Sequence, residues 1–450
     1  MERINNLKPI LSKNKILILI LFLSFGASIA YSFYFKIKPV VDARAYDVIA
    51  MNIALGNGFR ENLAVDIKYD YAIARVGPLY QYFLAGTYKI LSHHYEYVWL
   101  IQAVLHAASA GLVYLICLLV FAPFEQKKRA ALWSAAIFGF YPDLIEISAM
   151  LMTETLYLFL FCLLLFLFYY YFQQNNIRSV LFLGLVSGLS VLARPPILFL
   201  IPITVFYFWQ KKKINWAVIF CAALVAVFLP WTMRNYDIYR KIMPFGVAGA
   251  YNFWIGNYHG ANGEQEQPAA ALEFIDAGER PIVELQDKSM KELKYFLTNY
   301  PGEFVKLTFL RINKYFSIIR PMGFWFYQTG LSQFLFLFSS ASASVILFIF
   351  GLGGFIRSVK LKEALPLYLA AFTAVTPLII FVTVVETRYR FQIYPLLAVF
   401  AGYFIVYLTE NKKWRADKVL LFAVAAVFLN GAIDLILSLD RLKERLGWFF

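Results

Sequence analysis

Long apolar runs separated by short charged stretches dominate the chain. The first, Ile16 to Phe35, is followed by runs over 97–121, 130–142, 152–172, 178–193, 196–209, 214–233, 331–356, 364–384, 391–409 and 418–438. About 20 apolar helical residues cross a hydrocarbon core of roughly 30 Å, so these runs read as membrane spans, the shortest with loosely defined ends. The pattern predicts an all-α polytopic membrane protein with about 11 transmembrane helices, in a range of 10–13. Ile16–Phe35 follows Arg3, Lys8, Lys13 and Lys15 and so resembles a signal peptide. Its one small-x-small site, Ser28-Ile29-Ala30, is followed by more apolar chain, which favours an uncleaved span.

Residues 78–91, PLYQYFLAGTYKIL, are apolar but too short to cross comfortably. Charge decides their placement. If they lie at the interface, one side of the membrane receives residues 1–15, 122–129, 173–178, 210–213, 357–363 and 410–418. Those loops carry 18 of the 42 Lys/Arg but only five acids: Glu2, Glu125, Glu363, Glu410 and Asp417. Nearly all of the net charge of +14 falls there, the distribution expected of cytoplasmic loops. A span over 78–91 would send Lys127, Lys128 and Arg129 outside, so the segment is read as a juxtamembrane helix. The chain then divides into an N-terminal transmembrane module, 1–233, whose first extracytoplasmic loop covers 36–96; an extracytoplasmic loop region, 234–330; and C-terminal transmembrane helices, 331–450.

Composition agrees, with 61% hydrophobic and 19% aromatic residues. Cys117, Cys162 and Cys221 all lie inside apolar runs and offer neither a disulfide framework nor metal-ligand spacing. The basic balance follows the positive-inside pattern and does not point to nucleic acid. In 301–320, Phe304, Leu307, Phe309, Leu310 and Phe316 interleave with Lys306, Arg311 and Lys314, as in a helix lying among headgroups; such a helix either anchors the loop or binds a lipid phosphate.

This topology brings Asp42, Asp47, Arg75, Asp143, Glu146, Glu154, Arg194, Arg234, Glu386, Arg388 and Arg390 to one membrane face. Charges at an interface are costly unless paired or used, so the convergence marks a candidate site. Each member also has a plainer reading as interfacial decoration. Asp42 precedes a helical pattern, Tyr46, Ile49, Ala50 and Ile53, that stops near Gly56, so it could serve simply as an N-cap. Glu154 stands close enough to hydrocarbon to need a partner, although Thr153 could cap the helix there. Arg194, before Pro195-Pro196, sits at a helix break that aims a guanidinium at the mouth. Arginine suits phosphate because its planar fork binds two oxygens and keeps its charge.

The pieces Asp42-Ala43-Arg44-Ala45-Tyr46-Asp47, Gly56-Asn57-Gly58-Phe59, Ala74-Arg75, Pro78-Leu79-Tyr80, Tyr141-Pro142, Thr153-Glu154, Ala193-Arg194-Pro195, the run from Pro230 to Asn235, Gly256-Asn257 and Glu386-Thr387-Arg388-Tyr389-Arg390 occur in this order. Together they resemble the GT-C superfamily of integral-membrane glycosyltransferases, and within it the family 39 group of protein mannosyltransferases and aminoarabinose transferases. The resemblance implies a GT-C-like bundle that moves a sugar from a polyprenyl-phosphate carrier to a glycan, glycolipid or protein acceptor on the extracytoplasmic face. It maps the first-loop acid to Asp42, the base before the juxtamembrane helix to Arg75, the acid opening a later span to Glu154, and a phosphate-binding base to Arg194. The chain lacks the large inserted β-rich domain of the protein mannosyltransferases, which weakens a protein acceptor relative to a glycan or glycolipid.

The expected chemistry is an inverting single displacement. A carboxylate takes the acceptor proton while arginines stabilise the departing phosphate. Asp42 is the candidate base, with Asp47 or Glu154 positioning it or the acceptor. Arg75, Arg194, Arg388 and Arg390 are candidates for the phosphate, and Tyr46, Tyr80, Asn257 and Tyr389 for substrate contact. No cofactor is firmly implied; the carboxylates admit a divalent cation, but no ligand spacing demands one. His93-His94 reads as interfacial. The expected location is a bacterial inner membrane, N-terminus in the cytoplasm. A flippase or transporter of polyprenyl-linked glycans is the alternative, but no internal repeat is evident and only His106 and Asp434 lie deep within spans. A glycan polymerase is a third reading, met only loosely by 234–330.

Overall fold

The computed structural model describes residues 14–439 apart from 175, 277–280, 321–326, 413, 415 and 416. The basic residues Arg3, Lys8 and Lys13 of the predicted cytoplasmic N-terminus lie outside the described residues, as do 440–450 and parts of the loops predicted over 234–330 and 410–418. The described residues form helices, with one isolated parallel bridge between Glu264 and Val385.

The chain is an integral membrane protein. Among the described residues, eight helices are long and apolar enough to cross a membrane: Lys15–Phe35, Tyr95–Val120, Thr153–Phe172, Ile214–Tyr239, Gly330–Val359, Ala364–Val382, Thr387–Glu410 and Lys418–Leu437. Lys127–Gly139 and Pro142–Ser148 make a ninth if taken as one span bent by 55°. The bend has a local cause: Pro142 lacks an N–H and pushes Tyr141 into extended backbone (φ −69°, ψ 119°). Two shorter apolar helices, Ile177–Ala193 and Pro195–Gln210, match the remaining predicted runs. Helix Leu79–Leu91 has 13 residues, about 20 Å at 1.5 Å per residue, and packs on the first-loop helix Asp42–Ala54.

Lipid gives helices no hydrophobic reason to associate, so close packing supplies the contact. Small residues make that packing possible. A Cβ added at Gly184 would stand 2.6 Å from the Phe220 carbonyl oxygen, at Gly188 2.7 Å from that of Leu224, and at Gly402 2.3 Å from that of Ala130. Across another seam the Ser24 hydroxyl donates to the Gly139 carbonyl at 2.9 Å. Thr387–Glu410 is the central pillar, 94% buried along its apolar window, whereas Lys15–Phe35 at 22% lies on the lipid-facing rim.

At one end of the bundle, helices Ala248–Gly256, Ala269–Asp276, Glu284–Asn299 and Pro301–Tyr315 form a cap with its own apolar core, where Trp254, Val283 and Leu285 meet Phe59 and Ile73 of the first loop. The amphipathic reading of 301–320 needs revision, because Arg311 and Lys314 point inward while Val305 and Phe309 are exposed. Arg311 donates to the carbonyls of Gly256 and Phe381 and, at 3.0 Å, to Asn257 Oδ1. Gly256 itself has no room for a side chain, since a Cβ would fall 1.9 Å from the Thr383 carbonyl oxygen. The Val385 N–H donates to Gly263 O at 3.0 Å. Chain 381–385, just before Glu386, is thus held to the cap by backbone.

Candidate functional site

The sequence leaves open whether Asp42 is merely a cap. Asp42 is instead the first residue of its helix, Val41 occupies the cap position (φ 49°), and no side-chain cap bond forms. Its carboxylate turns to two arginines from distant parts of the chain. Asp42 Oδ2 accepts from Arg388 Nη1 at 3.1 Å, and Asp42 Oδ1 lies 3.6 Å from Arg75 Nη1. Arg75 also grips Glu61 with both prongs, at 2.9 and 2.7 Å, and Arg388 Nε donates to Glu386 at 2.6 Å. The result is an alternating chain, Glu61–Arg75–Asp42–Arg388–Glu386, whose members are all partly open to solvent.

Arg388 belongs also to a neighbouring narrow cleft, lined by Glu154, Tyr157, Arg194, Tyr389 and Gln392. Arg194 ends helix Ile177–Ala193 in extended backbone (φ −150°, ψ 111°), as the following proline requires. It donates to Glu154 Oε1 at 2.7 Å, and Thr153 Oγ1 donates to Glu154 Oε2 at 3.2 Å. Its guanidinium lies 5.4 Å from the Tyr389 ring and 5.9 Å from that of Tyr157, and Arg388 stands 5.4 Å from the same Tyr389 ring. Guanidinium groups rest favourably on such faces. Gly77 closes the arrangement. At φ +37° it passes so near the end of Ile177–Ala193 that a Cβ would lie 2.3 Å from Leu192 O, and this draws the Arg75 segment onto the turn that presents Arg194.

Asp42, Glu154, Arg75, Arg194, Arg388 and Tyr389 are therefore brought together. Tyr46, wholly buried, belongs with them: burial, reinforced by the Asp42 carboxylate, raises its hydroxyl well above the usual tyrosine range and keeps the proton on it. The other candidates point elsewhere. Asp47 accepts from Tyr88 at 2.7 Å and Tyr95 at 2.8 Å and pairs with His93 Nε2 at 2.9 Å, which also gives His93 a partner the sequence did not suggest. Burial and the Asp47 charge push the Tyr88 hydroxyl far up, so it acts as a donor to Asp47. Arg390 is buried and donates to the carbonyls of Ser317, at 2.6 Å, and Arg320. Tyr80 donates to Gln102 Oε1 at 2.8 Å. The Asn257 amide is taken up by Phe253 O, Val382 O and Arg311.

Sequence reasoning missed Glu61, Tyr157 and Gln265. Tyr157 lies three residues after Glu154 on one helix, a spacing that puts both on one face and could have been read. Glu61 sits in a loop without periodicity, and Gln265 comes from the cap; with its amide oriented to donate, Gln265 reaches Glu386 Oε2 at 3.2 Å. Among the described residues no group of three or more His, Cys, Asp or Glu is placed to hold a metal ion.

Residues 75–233 match the sequence profile of the dolichyl-phosphate-mannose-protein mannosyltransferase family, a stretch that contains Arg75, Glu154 and Arg194. The folded chain is similar to the Archaeoglobus fulgidus oligosaccharyltransferase in complex with Zn and sulfate, at TM-score 0.53 and 14% identity, covering 92% of this chain and 52% of the other. The fold is similar to that of the GT-C membrane glycosyltransferases. A second structure with the GT-C fold, oligosaccharyltransferase AglB from Archaeoglobus fulgidus with an inhibitory peptide and a dolichol-phosphate, aligns at TM-score 0.51 and 15% identity over 95% of this chain and 56% of that one. The chain thus spans about half the length of these oligosaccharyltransferases. ArnT from Cupriavidus metallidurans bound to undecaprenyl phosphate aligns less closely, at TM-score 0.43, 10% identity, and 86% and 77% coverage. A comparison with curated proteins gives no match.

Proposed function

We propose that this chain transfers a sugar from a polyprenyl-phosphate carrier to a glycan, glycolipid or protein acceptor at the extracytoplasmic face of the membrane. The observation that carries the reading is the double role of Arg388, which donates to the Asp42 carboxylate and lines the cleft of Arg194. A carboxylate and a pair of guanidinium groups next to one another are what a displacement at an anomeric carbon needs on its two sides. The acceptor oxygen attacks the anomeric carbon and the bond from that carbon to the phosphate oxygen breaks. The electron pair leaves with the polyprenyl phosphate, and Asp42 receives the acceptor proton. Attack opposite the leaving group inverts the anomeric configuration. Arg194 and Arg388 bind the charge that grows on the phosphate, where fixed donors in a site shielded from water are most effective. Glu154 and Tyr389 hold Arg194 in place, and Glu386 and Tyr389 hold Arg388. Arg75, anchored by Glu61, steadies Asp42. The dolichol-phosphate in the similar AglB structure and the family match over 75–233 support a lipid-phosphate carrier.

The test is to incubate the purified protein with a panel of polyprenyl-phosphate sugars and acceptors and to measure released lipid phosphate, with Asp42→Asn alongside. Release with at least one donor, lost in a folded Asp42→Asn protein, is expected. Undiminished release by Asp42→Asn would refute its role as base, and no release from any donor would refute the reaction class.

A further inference from the structure

A second cavity lies apart from the cleft of Arg194 and Arg388. It is an open cleft of about 580 Å³ between the C-terminal end of helix Ile214–Tyr239, the first loop and helix Glu284–Asn299. Its rim is basic, carrying Lys68, Arg240, Lys241, Lys288 and Lys291. Lys241 is taken up by Asp287, and Lys288 reaches Glu292 at 2.7 Å on its own helix. Lys68, Arg240 and Lys291 make no ion pair among the described residues, and Glu284 is the one further acid on the rim. Among the described residues, three cations therefore face one cleft with little to balance them. Its wall is apolar, made by Tyr239, Phe274 and Val283, of which Tyr239 and Val283 belong to the core of the cap.

The cleft is held in shape by hydrogen bonds to the first-loop carbonyls. The Ile282 N–H donates to Lys68 O at 2.9 Å, and the Tyr239 hydroxyl donates to Ile67 O at 3.3 Å. Its depth follows from the helix that ends in it. Met233 and Tyr236 are exposed on the last turns of the span Ile214–Tyr239, Arg240 follows as its left-handed C-cap, and Ile242 is 75% exposed just beyond. Exposed apolar and aromatic residues giving way to bases mark the boundary between hydrocarbon and headgroups. Arg240, at the end of that span, thus stands near the level of lipid phosphates, and the rest of the basic rim surrounds the same cleft.

We propose that this cleft binds the phosphate-bearing headgroup of an anionic lipid. Lys68, Arg240 and Lys291 contact the phosphate, and Tyr239, Phe274 and Val283 contact the carbon skeleton beside it. The inference concerns binding and does not rest on the sugar-transfer reading.

The test uses the full-length protein in a neutral detergent, titrated with dioleoyl phosphatidic acid and followed by native mass spectrometry. Phosphatidylcholine and inorganic pyrophosphate serve as comparison ligands. Saturable binding of phosphatidic acid, tighter than phosphatidylcholine, is expected. The double variant Arg240→Glu/Lys291→Glu should weaken it about tenfold or more, because each base near the surface contributes separately to attraction of an anionic lipid. Lys360→Glu/Lys362→Glu, exposed in a predicted cytoplasmic loop, should leave it unchanged. Equal loss in both double variants would mean diffuse attraction to basic surface and would overturn the site. Phosphatidic acid binding no tighter than phosphatidylcholine would do the same, and pyrophosphate binding as tightly as the lipid would reassign the cleft to a soluble anion. Should the double reversal fail to fold, Lys68→Gln/Lys291→Gln is read by the same criteria.

Discussion

The Glu154–Arg194 pair lets the structural role of an arginine be separated from its proposed role in donor binding. Its N···O distance is 2.7 Å, with the Glu154 side chain 2% exposed and that of Arg194 12%. The attraction at that distance is about 6 kcal/mol for an effective dielectric constant near 20, most of it offset by the cost of taking both charges out of water. Arg194→Ala leaves the buried carboxylate with Thr153, a loss expected to be about 3–5 kcal/mol of stability. Glu154→Gln is milder, since Arg194 keeps the Tyr157 and Tyr389 rings and can still donate to the amide oxygen. The double variant Glu154→Gln/Arg194→Ala buries no lone charge at this position and should recover much of the stability lost in Arg194→Ala. The assay is thermal unfolding in detergent together with donor saturation, read as released lipid phosphate. The prediction is that stability returns in the double variant but donor use does not, with KM for the polyprenyl-phosphate sugar raised at least tenfold in both proteins that lack the arginine. A double variant with wild-type stability and wild-type KM would show that Arg194 serves the fold alone.

Three further outcomes are expected. Asp47→Asn removes one charged acceptor from Tyr88, His93 and Tyr95 and should cost about 1–3 kcal/mol in thermal unfolding while lowering turnover much less than Asp42→Asn does; an equal loss of turnover would return Asp47 to the reacting groups. Gly256→Ala forces a methyl against the Thr383 carbonyl and should destabilise by about 1–3 kcal/mol or more, detected as a lowered unfolding temperature; an unchanged temperature would show that this contact yields freely. A cysteine at position 128 should react with a membrane-impermeant thiol reagent only after the cytoplasmic side is opened, whereas labelling from outside would overturn the eleven-span topology.

The apolar runs were legible because a span needs a minimum length of apolar residues, and every predicted run has a helix. The juxtamembrane reading of 78–91 came from charge distribution, and the 13-residue helix found there is too short to cross unaided. What the residues did not disclose is which polar groups meet. Arg388 and Arg390 are two residues apart and looked equivalent, yet they lie on a 3-10 helix, where three residues complete a turn and neighbours at i and i+2 face different ways. One meets Asp42, 346 positions earlier, and the other meets backbone carbonyls. Asp42 and Asp47 divide similarly on their shared helix. Pairings over such separations depend on how whole helices pack, which in lipid is set by small residues such as Gly184 and Gly402 and not by any pattern local to the charges.

The backbone attachment of chain 381–385 to the cap bears on how this architecture can be recombined. The cap looks like an insertion between two transmembrane segments, a unit to be exchanged whole between relatives. Yet Asn257 and Arg311 hold the carbonyls of Val382 and Phe381, and Gly263 accepts from Val385, directly ahead of Glu386 and Arg388. A graft of the cap alone would separate these halves, so the transplantable unit is discontinuous in sequence: the cap together with 381–385.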